Sequence, residues 1–318
     1  MKRTLEQLAQ IVSVVGLLSA TITAEEPALF RYLQGNPPAL MITYTPSELD
    51  PRQEVNNRRV TTTSLRKDLE ALRPAFDGLV LYGYNESSTP RTVALAKELG
   101  FRAVLLAVWE IRSAAELDGV AALAEQFGKD MAVGIIVGNE GLTFNRYEEE
   151  DLRIAEQRLR TRLGKTVPLT TSEPLVGYQR KVVREFGDFL APNIHPVFDR
   201  ENLAAEAAAA WVREETAKLA TQTSKPVLVK ETGFPHDGKP AYTPATQQAF
   251  WSAYTRGGTV KKDKPAFVFH GVAFEAFDLP WKAEESKLVI EKSWGLLSAK
   301  REPYSAFTTW KALRDATK

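Results

Sequence analysis

Residues 132–144 read AVGIIVGNEGLTF. The run Ala132–Val137 is apolar throughout, which suits a strand buried on both faces. It ends on Gly138, Asn139 and Glu140. An amide and a carboxylate are costly to bury without partners. A strand that closes on this pair therefore delivers it either to water or to a place where chemistry is done.

Similar apolar runs occur on both sides: ALMITY (39–44), GLVLYG (78–83), RAVLLAVW (102–109), VPLTT (167–171), DFLAPNI (188–194), PVLVK (226–230) and AFVFHGVAF (266–274). With 132–138 they make eight, and they are continuous rather than alternating, as in a parallel sheet covered on both faces. Helical patterns lie between them. SSTPRTVALAKELG (87–100) places Ser88 or Thr89 as cap, Pro90 in the first turn and Gly100 past the end. SAAELDGVAALAEQFG (113–128) starts on Ser113 and stops on Gly128. EEEDLRIAEQRLRTRLG (148–164) opens acidic and closes basic, as the helix dipole prefers. ENLAAEAAAAWVREETAKLA (201–220) is alanine-rich, and TPATQQAFWSAYTRGG (243–258) runs from threonine and proline to glycine. Eight strand–helix units in sequence predict a single (β/α)₈ TIM barrel from about residue 36 to 318. An open doubly wound sheet would place a glycine-rich phosphate loop after its first strand. ITYTPSELDPR has no glycine there, and RLGKTV follows a helix and lacks the upstream glycine.

Composition narrows the chemistry. The 318 residues carry 41 basic and 40 acidic side chains, a formal net charge of +1. Nucleic acid and anionic membrane surfaces ask for a basic excess, so neither is expected as a partner. Without cysteine there is no disulfide, thiolate nucleophile or zinc–cysteine site. Three dispersed histidines, His195, His236 and His270, give no metal-site spacing. No metal or cofactor is expected, and nothing calls for an obligate protein partner. Lys2 and Arg3 precede the short apolar stretch IVSVVGLLSATITA, and EEP follows Ala24. Residues 1–24 therefore read as a secretory signal, with an amphipathic N-terminal helix as the alternative, and a periplasmic or secreted location is expected.

The carboxyl ends of barrel strands form the active-site face. There stand Tyr44, then Tyr82, Tyr84 and Asn85, then Trp109 and Glu110, Asn139 and Glu140, Glu173, His195, Glu231, and Glu275 with Asp278. A rim rich in carboxylates and aromatics but poor in cations suits a neutral polyhydroxylated substrate rather than a phosphate. Glycoside hydrolysis needs two carboxyl groups flanking one bond. Glu140 ends the fourth strand and Glu231 the seventh, roughly opposite across the mouth.

Seven motifs in order carry a more specific resemblance: LYGYN, VLLAVW, VGNE, PNIHPVF, KETGFP, FEAFDLPWK and EKSWGLL. Together they resemble glycoside hydrolase family 17, the β-1,3-glucanases and β-1,3-glucanosyltransferases of clan A, over residues 39 to about 300, and TTSEP resembles bacterial members. The resemblance implies a retaining enzyme acting on β-1,3-gluco-oligosaccharide or polysaccharide through a glycosyl-enzyme. Glu140 matches the acid/base and Glu231 the nucleophile. Asn139 matches the residue that binds the sugar 2-hydroxyl, and Tyr82, His195, Glu275 and Lys282 match positions lining the site. Glu173 is a further candidate contact. Phe234 replaces a tryptophan as a subsite wall, and Leu279 replaces a carboxylate. Lys230 is unusual beside the nucleophile, and strand alternation is expected to turn it away from Glu231. The leading expectation is a β-1,3-glucanosyltransferase, by analogy with bacterial members. An endo-β-1,3-glucanase and a non-catalytic glucan-binding barrel are the alternatives.

Overall fold

The computed structural model describes residues 25–52, 60–263 and 266–316. The segment read as a signal, residues 1–24, lies outside the described residues. Five strands, β1 (Met41–Thr43), β2 (Gly78–Val80), β3 (Ala103–Val108), β4 (Ala132–Asn139) and β5 (Leu169–Ser172), pair in parallel and in chain order. The remaining strands are β6 (Val227–Leu228), β7 (Val260–Asp263), β8 (Ala266–Phe269) and β9 (Val272–Ala273). Strand β9 pairs in parallel with β1, and β8 with β6.

Residues 188–194 close the gap between β5 and β6 without forming a regular strand. They make parallel bridges Leu190↔Val227, Asn193↔Glu231 and Pro174↔Asn193. Side chains replace part of the missing ladder. Thr170 Oγ1 donates to the Phe189 carbonyl at 2.6 Å, and Ser172 Oγ to that of Ala191 at 2.8 Å. With this stave in place the ring is complete, and the fold is a (β/α)₈ TIM barrel, as the eight apolar runs predict. The last run, 266–274, splits into β8 and β9 at Gly271. A Cβ there would sit 2.4 Å from the Phe269 ring and 2.7 Å from the Ala39 carbonyl, so only glycine lets the backbone pass. Strand β7, antiparallel to β8, is an addition that the sequence reading does not contain.

Helices occupy the expected intervals at Thr89–Glu98, Ala114–Phe127, Glu149–Leu163, Ala205–Ala220 and Pro244–Arg256. Ser113 caps its helix by accepting from the Glu116 amide. Ser88 is the first flanking residue of Thr89–Glu98 but makes no side-chain cap bond. A further helix, Thr62–Leu72, precedes β2 and is capped by Thr61.

Strand alternation sorts the core into two layers. Leu40, Ile42, Leu79, Val104, Leu106, Ile135 and Val137 pack outward against the helices. Met41, Val80, Leu105, Ile136 and Leu228 fill the lumen. Leu29 and Phe30 of a short helix, Ala28–Leu33, join this inner layer, and Phe30 lies edge-on to Phe189 and Phe267 at 5.9 Å each. The packed unit therefore begins before residue 36, a correction to the boundary read from sequence. A plug so near the N-terminus gives no periodic signal beyond one short helix. Apolar side chains fill the lumen toward the amino-terminal end of the barrel, and the cleft opens at the carboxyl end.

Candidate active site

Strand β4 does not end smoothly. Its register with β5 shifts between Ile136 and Asn139. Gly138 has φ +75°, and a Cβ on it would strike the Tyr147 hydroxyl at 2.0 Å. Glu140 follows with φ +57°, a left-handed conformation rare for glutamate. An irregularity of this kind re-aims side chains at a strand end, and here it turns Asn139 and Glu140 into the barrel mouth. The half-buried Glu140 carboxyl accepts from Asn193 Nδ2 at 2.7 Å. Burial, then the nearby Glu231 charge, pushes its pKa up.

Glu231, 5 % exposed, has the opposite environment. Lys230 Nζ lies 2.5 Å from its Oε1, and His195 Nε2 lies 3.2 Å from Oε2. Burial alone would raise its pKa. The Lys230 charge and the His195 hydrogen bond outweigh burial and hold it below the usual carboxylate range. The histidine responds in kind: burial favours its neutral form, but the hydrogen bond and the charge from Glu231 push its pKa up. The His195 ring is held edge-on by Phe274 at 4.9 Å and Trp294 at 5.1 Å.

Lys230 corrects the sequence reading. Alternation does send its stem into the lumen, two residues after the inward Leu228. The strand ends there, however, and four methylenes carry the ammonium back up to Glu231. It also reaches Asn139 Oδ1 at 2.5 Å and Ser172 Oγ at 3.3 Å, and it sits 4.9 Å from the Tyr82 ring centre. Asn193 Nδ2 donates to the same Asn139 oxygen at 3.0 Å.

Glu140, Glu231, Asn139, Asn193, His195, Tyr82 and Lys282 line one cleft of about 970 Å³, with Trp109, Phe144, Phe198 and Trp294 also on its walls. That volume lies at the large end of ligand pockets. Burial, then the charges of Glu231 and Glu275, raises the Tyr82 pKa, and no described residue takes its buried hydroxyl. Lys282 Nζ donates to Glu275 Oε2 at 2.6 Å. Burial pushes the Glu275 pKa up to about 7 against the pull of Lys282. Glu275 stands behind Lys282 rather than on the cleft wall.

Two other candidates lie away from the cleft. Glu173 is fully buried, and its carboxylate accepts from the Leu142 and Thr143 amides at 3.0 and 3.1 Å, pinning the loop after β4. Phe234 is buried against Phe250 at 5.7 Å and Tyr242 at 5.2 Å, so it forms core and not a subsite wall. Leu279 is buried as well. The sequence reading also missed residues that the structure brings in. Asn193 stands two before His195 inside PNIH, a spacing that places both on one side of an extended segment. Glu291, on the cleft wall, has its pKa raised by burial. Glu116 lines the far end and holds the Trp109 amide at 2.7 Å.

Two carboxyls on one cleft, one pushed toward its acid form and one toward its anion, are equipped for paired acid and nucleophile chemistry. Comparison with known proteins agrees with that equipment. A family model described as the BtgE/BtgC glycoside hydrolase domain matches residues 41–295. The chain belongs to this glycoside hydrolase family. One relative, the probable glucan endo-1,3-beta-glucosidase btgC of Aspergillus clavatus, is 24% identical over 273 residues, covering 75% of this chain and 38% of that protein. The probable beta-glucosidase btgE of the same organism is 26% identical over 185 residues, 57% of this chain and 32% of its own length. The chain thus spans about a third of the length of these relatives. In structure, the family 17 β-1,3-glucanosyltransferase of Rhizomucor miehei aligns with a TM-score of 0.66 at 18% identity, covering 86% of this chain and 98% of that one. An endo-laminarinase from Formosa Hel1_33_131 aligns at 0.68 and 17%, covering 88% and 87%. Likeness at that level of identity shows a shared barrel.

Proposed function

We propose that this glycoside hydrolase domain is a retaining β-1,3-glucan-active enzyme and that it works chiefly as a glucanosyltransferase. The observation that carries the reading is the opposed pull on the two cleft carboxyls. Glu231, held as an anion by Lys230 and His195, attacks the anomeric carbon of a bound glucan. Glu140, biased toward its acid form, hands its proton to the departing glycosidic oxygen. A glycosyl ester on Glu231 results. Glu140, now ionised, takes the proton of an incoming hydroxyl as that oxygen attacks, and the Glu231 carboxylate leaves. Asn139 Nδ2 has no partner among the described residues and is placed to donate to a sugar hydroxyl, because both donors on this amide fall on its oxygen. Aromatic walls from Trp109, Phe144 and Phe198 supply faces for sugar rings.

The glucan substrate is supported by the activities for which the btgC relative and both fold neighbours are named. The preference for transfer is supported by the glucanosyltransferase neighbour and by the bacterial character of TTSEP. Hydrolysis is the second reading, favoured by the laminarinase neighbour, with water as the acceptor. One experiment addresses both. A single-length laminari-oligosaccharide is digested, the first anomer released is read by proton NMR, and the product lengths by mass spectrometry. The β-anomer appearing first, with products longer than the input, is expected. The α-anomer first would end the double-displacement reading, and only shorter products would make the enzyme a hydrolase.

A further inference from the structure

We propose that Lys230 is a positioning residue that fixes Glu231 as a carboxylate, turns the Asn139 amide toward the sugar, and speeds release of the sugar from Glu231. The proposal rests on the reading of Glu231 as nucleophile. Lys230 is 1 % exposed and sits at the top of the lumen, where staves from four parts of the ring converge. Its ammonium takes a carboxylate oxygen of Glu231 and the amide oxygens of Asn139 and, more distantly at 3.4 Å, Asn193, together with the Ser172 hydroxyl. Only one of these acceptors is an anion. A buried cation with one anionic partner is strongly tied to that partner's charge, because unpaired charge in a low-dielectric site is costly.

That tie has opposite effects on the two chemical steps. In the first, one Glu231 oxygen forms a bond to the anomeric carbon, the bond to the glycosidic oxygen breaks, and that oxygen takes the proton of Glu140. Glu231 becomes a neutral ester. The negative charge has moved to Glu140, which is held by Asn193 and not by Lys230, so the ammonium keeps only amide and hydroxyl oxygens as direct partners in a site it cannot leave. In the second step an acceptor hydroxyl attacks, its proton passes to Glu140, and the ester electron pair returns to Glu231. The anion beside Lys230 is restored. The ammonium therefore opposes formation of the ester and favours its breakdown, so the intermediate turns over without building up. Lys230 also sets Asn139: together with Asn193 it occupies the amide oxygen, so the amide nitrogen is the atom left for substrate.

The charged and titratable groups facing Glu231 are Lys230 beside it, Glu140 from β4, Tyr82 after β2, His195 after the sixth stave, and Glu275, Lys282 and Glu291 from the segment after β8. The test uses the full chain, with Lys230→Met, Lys230→Gln, Lys230→Arg and Glu231→Gln beside the parent. The substrate is an aryl β-laminaribioside with a good leaving group. In the parent, the acid limb of kcat/KM is expected below about 4.3, the ordinary glutamate value, with no burst of aryl alcohol. In Lys230→Met, the acid limb moves up by at least one pH unit, kcat falls at least tenfold, and a burst accompanies a protein mass increased by one glycosyl unit. Lys230→Gln gives the same signature if the methionine variant does not fold. Lys230→Arg keeps the parent's acid limb. An acid limb in the parent well above 4.3 overturns the proposal, as does a methionine or glutamine variant that loses activity with an unmoved acid limb and no burst. An active Glu231→Gln instead overturns the nucleophile reading beneath it, which separates the two failures.

Discussion

Asp77 and Glu231 are both buried carboxylates with cations beside them, and they stand at opposite ends of the same barrel. Asp77, just before β2, is saturated. Its Oδ1 accepts from the Tyr32 hydroxyl at 2.9 Å and the Leu40 amide at 3.1 Å. Its Oδ2 accepts from Arg314 at 2.8 Å and from Arg102. Four donors tie the plug helix, β1, β3 and the C-terminal helix Ser305–Asp315 to one point. Glu231 has one donor on each oxygen, and the rest of its carboxylate meets the cleft. A carboxylate that holds a fold uses all its acceptor capacity on the protein. One that reacts keeps some in reserve, and the charges around it set its protonation instead.

The sharpest way to break this contrast is substitution at the cleft. On the proposed assignment, Glu231→Gln lowers kcat by roughly 10⁴-fold or more, as loss of a nucleophile does, and because it leaves the buried Lys230 without its anion it also lowers the thermal midpoint. Equal trace activity in parent and variant would reduce the domain to a binding module. Glu140→Gln costs about 10²- to 10⁴-fold, the usual share of a general acid. The loss is smallest on substrates whose leaving group needs no proton, which steady-state kinetics on an activated aryl glycoside would reveal. An equal loss on activated and natural substrates would remove Glu140 from that role.

Asp77→Ala should cost stability and leave the chemistry alone. It removes the buried carboxylate that Arg102 and the largely buried Arg314 share. Breaking a buried pair in this way costs about 3–5 kcal/mol, read as a lower midpoint in chemical denaturation, while kcat of the folded fraction stays near the parent's. A variant as stable as the parent would show that four hydrogen bonds at this point hold nothing together.

The sequence makes the frame legible but only part of the site. Continuous apolar runs reveal the staves because burial on both faces leaves no other composition, and they reveal even 188–194, which hydrogen-bonds too irregularly to be a regular strand. The helix plug at Ala28–Leu33 and strand β7 are too short to carry a period. At the site, Glu140 and Glu231 stand out because they end strands in recognisable motifs. Glu173 and Phe234 stand at equally exposed points of the pattern, yet a loop turned the first onto backbone amides and the second into core. Lys230 shows where alternation stops being informative. It fixes the direction of a Cβ, but a long flexible side chain at a strand end can place its charge on either neighbour.

Glu275 sharpens the comparison from a third position. It is as buried as Asp77, but its one cation, Lys282, takes Oε2 and leaves Oε1 without a partner among the described residues. Burial therefore wins, with a pKa pushed up to about 7. The unfolded chain releases this proton near 4.3. Between those values the folded state binds more protons, so stability falls as pH rises from about 4.3 to 7 and stays low above that range. The raised pKa of Glu140 and Glu291 slopes the same way, as does that of His195 from its unfolded value upward. Glu231, lowered, contributes only at more acid pH, where its stabilisation is lost. Glu275→Gln removes one share of the slope. Thermal stability of the parent should weaken as pH rises from about 5 to about 8, and the variant should weaken less, by on the order of 1–3 kcal/mol. Parallel curves for the two proteins would mean that Lys282 already keeps Glu275 ionised at neutral pH, and that it belongs with Asp77 rather than between Asp77 and Glu231.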